Sequence, residues 1–190
     1  MTHDEVLDFW FGAANTPEHG QRRALWFRKD DAFDDLIRTR FLSLYTRAAA
    51  GGLNAWREAP RSLLALIIVL DQFPRNIFRG QPQAFATDAQ ALAAALHMLA
   101  HGWDARLSPL ERCFVYLPFE HAEDLSMQER ALALFAALDG NVQVGDMFEW
   151  ARRHHAVIAR FGRFPHRNAV LDRVSTPAEL EFLAQPGSRF

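Results

Sequence analysis

Three short segments hold most of this chain's capacity for chemistry. Leu70–Gly80 reads Leu-Asp-Gln-Phe-Pro-Arg-Asn-Ile-Phe-Arg-Gly and sets Arg75, Asn76 and Arg79 just past a Phe-Pro pair. Arg160–Asn168 repeats the theme, with Arg163, His166, Arg167 and Asn168 around Phe164-Pro165. Between them, Glu120-His121-Ala122-Glu123-Asp124 supplies carboxylates and an imidazole. Guanidinium groups grip carboxylates and phosphates through two parallel hydrogen bonds. Arg75, Arg79, Arg163 and Arg167 are therefore candidate donors to a small anionic or zwitterionic molecule or a peptide end, and Asn76 and Asn168 would fix its orientation. Glu120, Asp124 and His121 would hold the arginines or read a cationic part of the ligand. A competing reading is a hydrolase or lyase in which Glu120 or Asp124 works with His121 or His166 as an acid–base pair. A third, from fold analogy alone, is a protein–protein scaffold.

Much of each segment also has a local structural account. A proline disfavours the helical region for the residue before it, so each Phe-Pro pair reads as a helix stop followed by a loop. Asp71 would then end its helix, where the macrodipole opposes a negative charge, and Arg75 or Arg79 would clamp it while Asn76 capped a following turn. Gly162 suits a left-handed cap, and Asn168 suits the cap of a short helix over Ala169–Arg173. Backbone needs leave unexplained the cations gathered around an apolar Phe at the second corner.

In the acidic segment, Pro118 near a helix start would put Glu120, Asp124 and Gln128 on one stripe, with Leu125, Leu132 and Phe135 facing the core. Acidic residues in a first turn also suit the helix dipole. No metal site is expected, because paired Glu-x-x-His elements, His-Glu-x-x-His and a cysteine ligand set are all missing. His154 and His155 are adjacent, so on a helix at most one faces any site. No glycine-rich phosphate loop or Gly-x-Ser-x-Gly elbow occurs, and no cofactor is implied. Trp10, Phe11, Trp26 and Phe27 read mostly as core, with Trp26-Phe27-Arg28-Lys29 as the exception that offers one aromatic to stack on a ligand.

The elements that must position these residues are helical throughout. Thr2 and Glu5 form a capping box for a first helix ending near Gly12. Phe33, Ile37, Phe41 and Leu44 mark a second from about Asp30 to Ala50, closed by Gly51-Gly52. Leu63–Leu70 is apolar on all sides and reads as a central buried helix. Thr87 or Asp88 caps an alanine-rich helix to about His101. Ser108-Pro109-Leu110-Glu111 and Thr176-Pro177-Ala178-Glu179 are proline-bearing capping boxes. Further helices are expected from Pro118 or Glu123 to Leu138 and from Asp146 to Phe161. Connections are short, so residues 1–190 read as a single all-helical domain of antiparallel helical pairs.

Composition narrows the partners. A chain of 190 residues with 49% hydrophobic and 23% charged residues can bury a real core. A formal net charge of −2 and the lack of a polybasic run argue against nucleic acid and an anionic membrane surface as partners. No apolar run spans a bilayer, and no basic, apolar leader opens the sequence. Lone Cys113 excludes an internal disulfide, which fits a cytoplasmic location.

Taken together, Leu7-Asp8-Phe9-Trp10-Phe11-Gly12, Trp26-Phe27, Leu70–Gly80, Phe85–Asp88, Tyr116–Gln128 and Phe161–Asn168 resemble one widespread, chiefly bacterial family of uncharacterised proteins. The resemblance covers nearly the whole chain and implies a tetratricopeptide-like, all-α fold without an established activity. Phe119, Ala122 and Asp172 depart from a commoner Leu, Ser and Gly, which leaves the charged positions intact and argues against a tight turn at Asp172.

Overall fold

Helix starts follow the local chemistry of the chain. Thr2, Ser108 and Thr176 each accept a side-chain hydrogen bond from the backbone N–H three residues on, and the carboxylates of Glu5, Glu111 and Glu179 accept one from the backbone N–H of the capping residue. The structure, a computed structural model, describes residues 1–188. Its regular secondary structure, among those residues, is entirely helical. The α-helices are α1 (His3–Phe11), α2 (Asp31–Ala49), α3 (Pro60–Ile77), α4 (Asp88–Ala100), α5 (Pro109–Glu120), α6 (Leu125–Ala136), α7 (Met147–Phe161) and α8 (Pro177–Leu183), with short 3-10 turns between them. None of them is long and apolar enough to cross a membrane.

Helix α3 is the organising element. It packs against α1, α2, α4 and α5, while α6 bridges α5 and α7. Every residue from Ser62 to Pro74 is buried, as a helix apolar on all sides must be. Around it Trp10, Trp26 and Phe114 form an aromatic centre, with Trp26 edge-on to Phe114 at 4.9 Å between ring centroids. A second, smaller cluster of Val157, Ile158 and Phe164 packs with Phe161 and Phe182 near the C-terminal end.

One helix stop expected from proline does not occur. Helix α3 continues through Pro74 to Ile77, and the Phe78 N–H closes it on the Pro74 carbonyl at 2.9 Å. An interior proline removes one N–H and costs roughly 3 kcal/mol in an unsupported helix. The carbonyl left without its partner is that of Leu70, four residues back. Here the Thr87 hydroxyl donates to it at 2.6 Å. Thr87 thus serves the interior of α3 instead of capping α4 with its side chain. As a result Arg75 and Asn76 lie on a rigid last turn instead of a loop, and Asp71 sits inside the helix with no exposed surface.

Nor does Pro118 open a helix as expected, because α5 runs through it to Glu120. Glu120 closes one helix and Asp124 caps the next, accepting from the Met127 N–H at 3.1 Å, so the expected Glu120–Asp124–Gln128 stripe does not form. Gln128 is buried instead and donates to the carbonyls of Glu120 and Ala122 across the turn. Leu125, expected in the core, is 44% exposed because it opens α6 on the outer side.

The second Phe-Pro pair does leave the helix. Gly162 ends α7 at φ +69°, Phe164 is extended, and Pro165 opens a 3-10 turn. No helix forms over residues 169–173. Asn168 accepts from the N–H groups of Leu171 and Arg173 through its carbonyl, and its amide donates to Ser175. Asp172 adopts φ +52°, a left-handed turn that aspartate tolerates better than most residues. The two similar phrases therefore build different structures.

Candidate functional site

The last turn of α3 and the C-terminal corner converge on Asp88, in the first turn of α4. Arg75 Nη1 donates to Asp88 Oδ1 at 2.9 Å, and Arg167 Nη1 donates to Asp88 Oδ2 at 3.2 Å. Both guanidinium groups also lie over the ring of Phe85, at 5.9 and 4.6 Å from its centroid. Residues far apart in sequence thus share one carboxylate and one aromatic ring, and Arg75, Phe85 and Arg167 line a cavity of about 540 Å³.

On the α3 side, Arg75 Nη1 also donates to the Asp71 carbonyl at 2.7 Å and lies 3.4 Å from Asp71 Oδ1. Gln72 donates to Asp71 Oδ2 at 2.6 Å, and His121 Nδ1 approaches Asp71 Oδ1 at 2.8 Å. Burial alone would push the Asp71 carboxyl up, but Arg75, His121 and Gln72 together hold it well below the usual carboxylate range. The ionised carboxylate only accepts, so His121 donates from Nδ1 and keeps the Nε2 lone pair. Burial and the neighbouring Arg75 charge push the imidazole pKa down, overcoming the opposite pull of Asp71, which favours this neutral form.

Further along the wall, Arg79 holds Asp34 of α2 in a bidentate pair, with Nε to Oδ2 at 2.6 Å and Nη2 to Oδ1 at 2.8 Å. Asn76 adds a third bond to Asp34 at 2.7 Å. Although burial opposes it, these donors lower the Asp34 pKa. On the α5 side, Glu120 is 2% exposed, with Oε1 3.0 Å from His154 Nδ1 of α7. Arg167 Nη2 donates to the His121 carbonyl at 3.1 Å, tying the corner to the end of α5. Burial, with Arg75 close by, pushes the Arg167 pKa down to about 10.

Several hydrogen-bonding atoms here are left over. Arg75 Nη2, Arg167 Nε and Glu120 Oε2 are buried without a hydrogen-bond partner among the described residues. The cavity lining itself holds five cationic side chains, Arg28, Lys29, Arg75, Arg79 and Arg167, against one carboxylate, Glu120. Its remaining surface is largely apolar and aromatic, including Phe27, Phe85, Leu117, Met147 and Trp150.

The cavity brings together Arg75, Asn76, Arg79, Arg167, Glu120, His121 and His166. Three other candidates lie outside its lining. Asp124 is engaged as the cap of α6, and Asn168 holds the turn to Ser175. Arg163 forms a bidentate pair with Glu179 of α8, with bonds of 2.7 and 2.8 Å. This pair draws the Glu179 carboxyl down to about 2. Glu123 likewise turns away to bind Arg173 and the Phe164 N–H. Of the adjacent histidines, His154 lines the cavity and His155 does not.

Sequence patterns did not single out Asp34, Gln72, Phe85 or Asp88 as parts of the site. Asp34 had one visible mark, an acid directly after Phe33 on the buried stripe of α2. Asp88 reads equally well as an ordinary first-turn acid. No group of three or more His, Cys, Asp or Glu is placed to hold a metal ion among the described residues.

A family model described as a bacterial protein of unknown function, DUF924, matches residues 6–187. No curated protein matches the chain. A solved structure of a protein of unknown function from Agrobacterium tumefaciens is 40% identical, with a TM-score of 0.85 and 96% of each chain covered.

Proposed function

The chain belongs to the bacterial family of unknown function DUF924, and we propose that it binds a small anionic or zwitterionic molecule in the cavity between α3, α5, α7 and the C-terminal corner. The observation that carries this reading is the unused hydrogen-bonding capacity of Arg75, Arg167 and Glu120 around one cavity. Two guanidinium groups share Asp88, and burial beside Arg75 already disfavours the charge on Arg167. An anionic group placed between them would offset that repulsion and supply the missing acceptors. Glu120, with one oxygen turned to His154 and the other unfilled, suits an ammonium or amide donor on the same ligand. The apolar lining would bury its body, and the cavity size lies within the usual ligand range of about 300–1,000 Å³.

The test is a thermal-shift screen of small carboxylates, phosphate and amino acids against the wild-type chain and Arg75→Ala. Stabilisation by one of these that disappears in Arg75→Ala supports the assignment. Stabilisation of both proteins to the same extent would move binding away from this cavity. A protein–protein scaffold has no comparable observation behind it. A cytoplasmic setting would supply carboxylates and phosphates of this kind in abundance.

A further inference from the structure

The binding proposal leaves the neutral His121 imidazole without a role. Its Nδ1 faces a carboxylate with no exposed surface, and the ring lines the same cavity as Arg75 and Arg167. Asp71 is fixed in turn by Gln72 and Arg75, and the His121 carbonyl is fixed by Arg167. An imidazole anchored at Nδ1, with its second nitrogen left as a lone pair beside cationic donors, is the arrangement a general base requires. No Ser, Thr or Cys lies in the cavity lining among the described residues. Cys113 is buried elsewhere, with its thiol pushed up to about 12 by burial and by Glu120. A base here would therefore act on water.

We propose that His121, oriented by Asp71, is the general base of a hydrolytic activity on small esters that also carry an anionic group. This rests on the anion-binding reading, because Arg75 and Arg167 would hold that group. In the reaction, His121 Nε2 takes a proton from water as its oxygen bonds to the ester carbonyl carbon. The carbonyl π pair moves to oxygen, and neighbouring guanidinium N–H groups stabilise the oxyanion. The tetrahedral intermediate then collapses, the bond to the alkoxy oxygen breaks, and the imidazolium returns its proton to the departing alcohol. One water and one ester give one carboxylic acid and one alcohol, and the acid ionises at neutral pH.

The test follows release of 4-nitrophenol from mono-4-nitrophenyl succinate, with 4-nitrophenyl acetate as the substrate lacking the free carboxylate. The expected result is faster enzyme-dependent turnover of the succinate ester, above the spontaneous release that its own carboxylate promotes by intramolecular attack. His121→Gln should lower kcat by about 100-fold or more with little change in KM, as loss of a general base does. Since the base must be neutral, activity should hold at neutral pH and fall as pH drops through a value below the ordinary 6.5 of histidine. The charged and titratable groups facing His121 are Asp71 and Arg75 from α3, Glu120 from α5, His154 from α7 and Arg167 from the corner, with Asp88 of α4 behind the two arginines. Asp71→Asn removes the main group raising the His121 pKa, so the inflection should move to lower pH, a change that a purely structural role for Asp71 would not produce. Two outcomes overturn the proposal. Stabilisation by succinate with equal turnover in wild type and His121→Gln defeats the hydrolytic inference and leaves the binding reading standing. Neither stabilisation nor turnover with any small anion defeats both.

Discussion

Replacing Thr87 by Val tests how α3 survives an interior proline, on which the placement of Arg75 and Asn76 depends. Valine matches threonine in shape and removes only the hydroxyl, which donates to the Leu70 carbonyl at 2.6 Å. Thr87 is 3% exposed, so water does not readily replace that donor. A buried carbonyl left unsatisfied costs about 1–3 kcal/mol. At about 2–4 °C per kcal/mol for a chain of this size, the expected fall in Tm is about 4–8 °C for the middle of that range. Pro74→Ala offers a second route, because alanine supplies an N–H in register with the same carbonyl. Thr87→Val should therefore cost markedly less in the Pro74→Ala background, with a coupling of about 1 kcal/mol in a double-mutant cycle read by urea denaturation. Equal costs in both backgrounds would refute the idea that Thr87 compensates for Pro74.

Two other outcomes concern protonation and reactivity. Glu179 ordinarily titrates at 4.5 but is held at about 2 by Arg163, and Asp34 and Asp71 are lowered as well. Folded values below unfolded ones mean that stability is complete above the unfolded values and declines as pH falls through the folded ones. Urea midpoints should thus be flat near neutrality and drop below about pH 4.5, and Glu179→Gln should show a shallower drop between pH 4.5 and 3; an identical acid limb in that variant would count against the pairing. Cys113 is 1% exposed with a strongly raised thiol pKa, so a disulfide-forming thiol reagent should label it only as the chain unfolds. Labelling within seconds under native conditions would contradict that burial.

Local chemistry was largely legible in the sequence. The capping boxes at Thr2, Ser108 and Thr176 form as their spacing requires, since each involves residues three apart on one turn. The left-handed cap at Gly162 and the all-buried character of α3 follow from single residue types and local apolar runs. The family resemblance read from the phrases agrees with the family match over residues 6–187. Local rules also named most of the cations lining the cavity, because clustered arginines exceed what caps and turns need.

Tertiary structure decided the remainder. Whether a proline ends a helix depends on whether another element can serve the orphaned carbonyl, and Thr87 comes from the start of α4, beyond the reach of any window around Pro74. Counter-charges obey the same logic. Arg79 chose Asp34 and Arg163 chose Glu179, each from a helix elsewhere in the chain, because a buried carboxylate pairs with whichever guanidinium packing brings within 3 Å. Asp88 joins the two Phe-Pro corners for that reason alone. By itself the sequence determined which groups would need partners, since charge and amide content are properties of residues. Only the packing of α2, α4 and α5 around α3, with α7 against α5 and α6, determined which partners they found, and which donors and acceptors were left unfilled at one cavity.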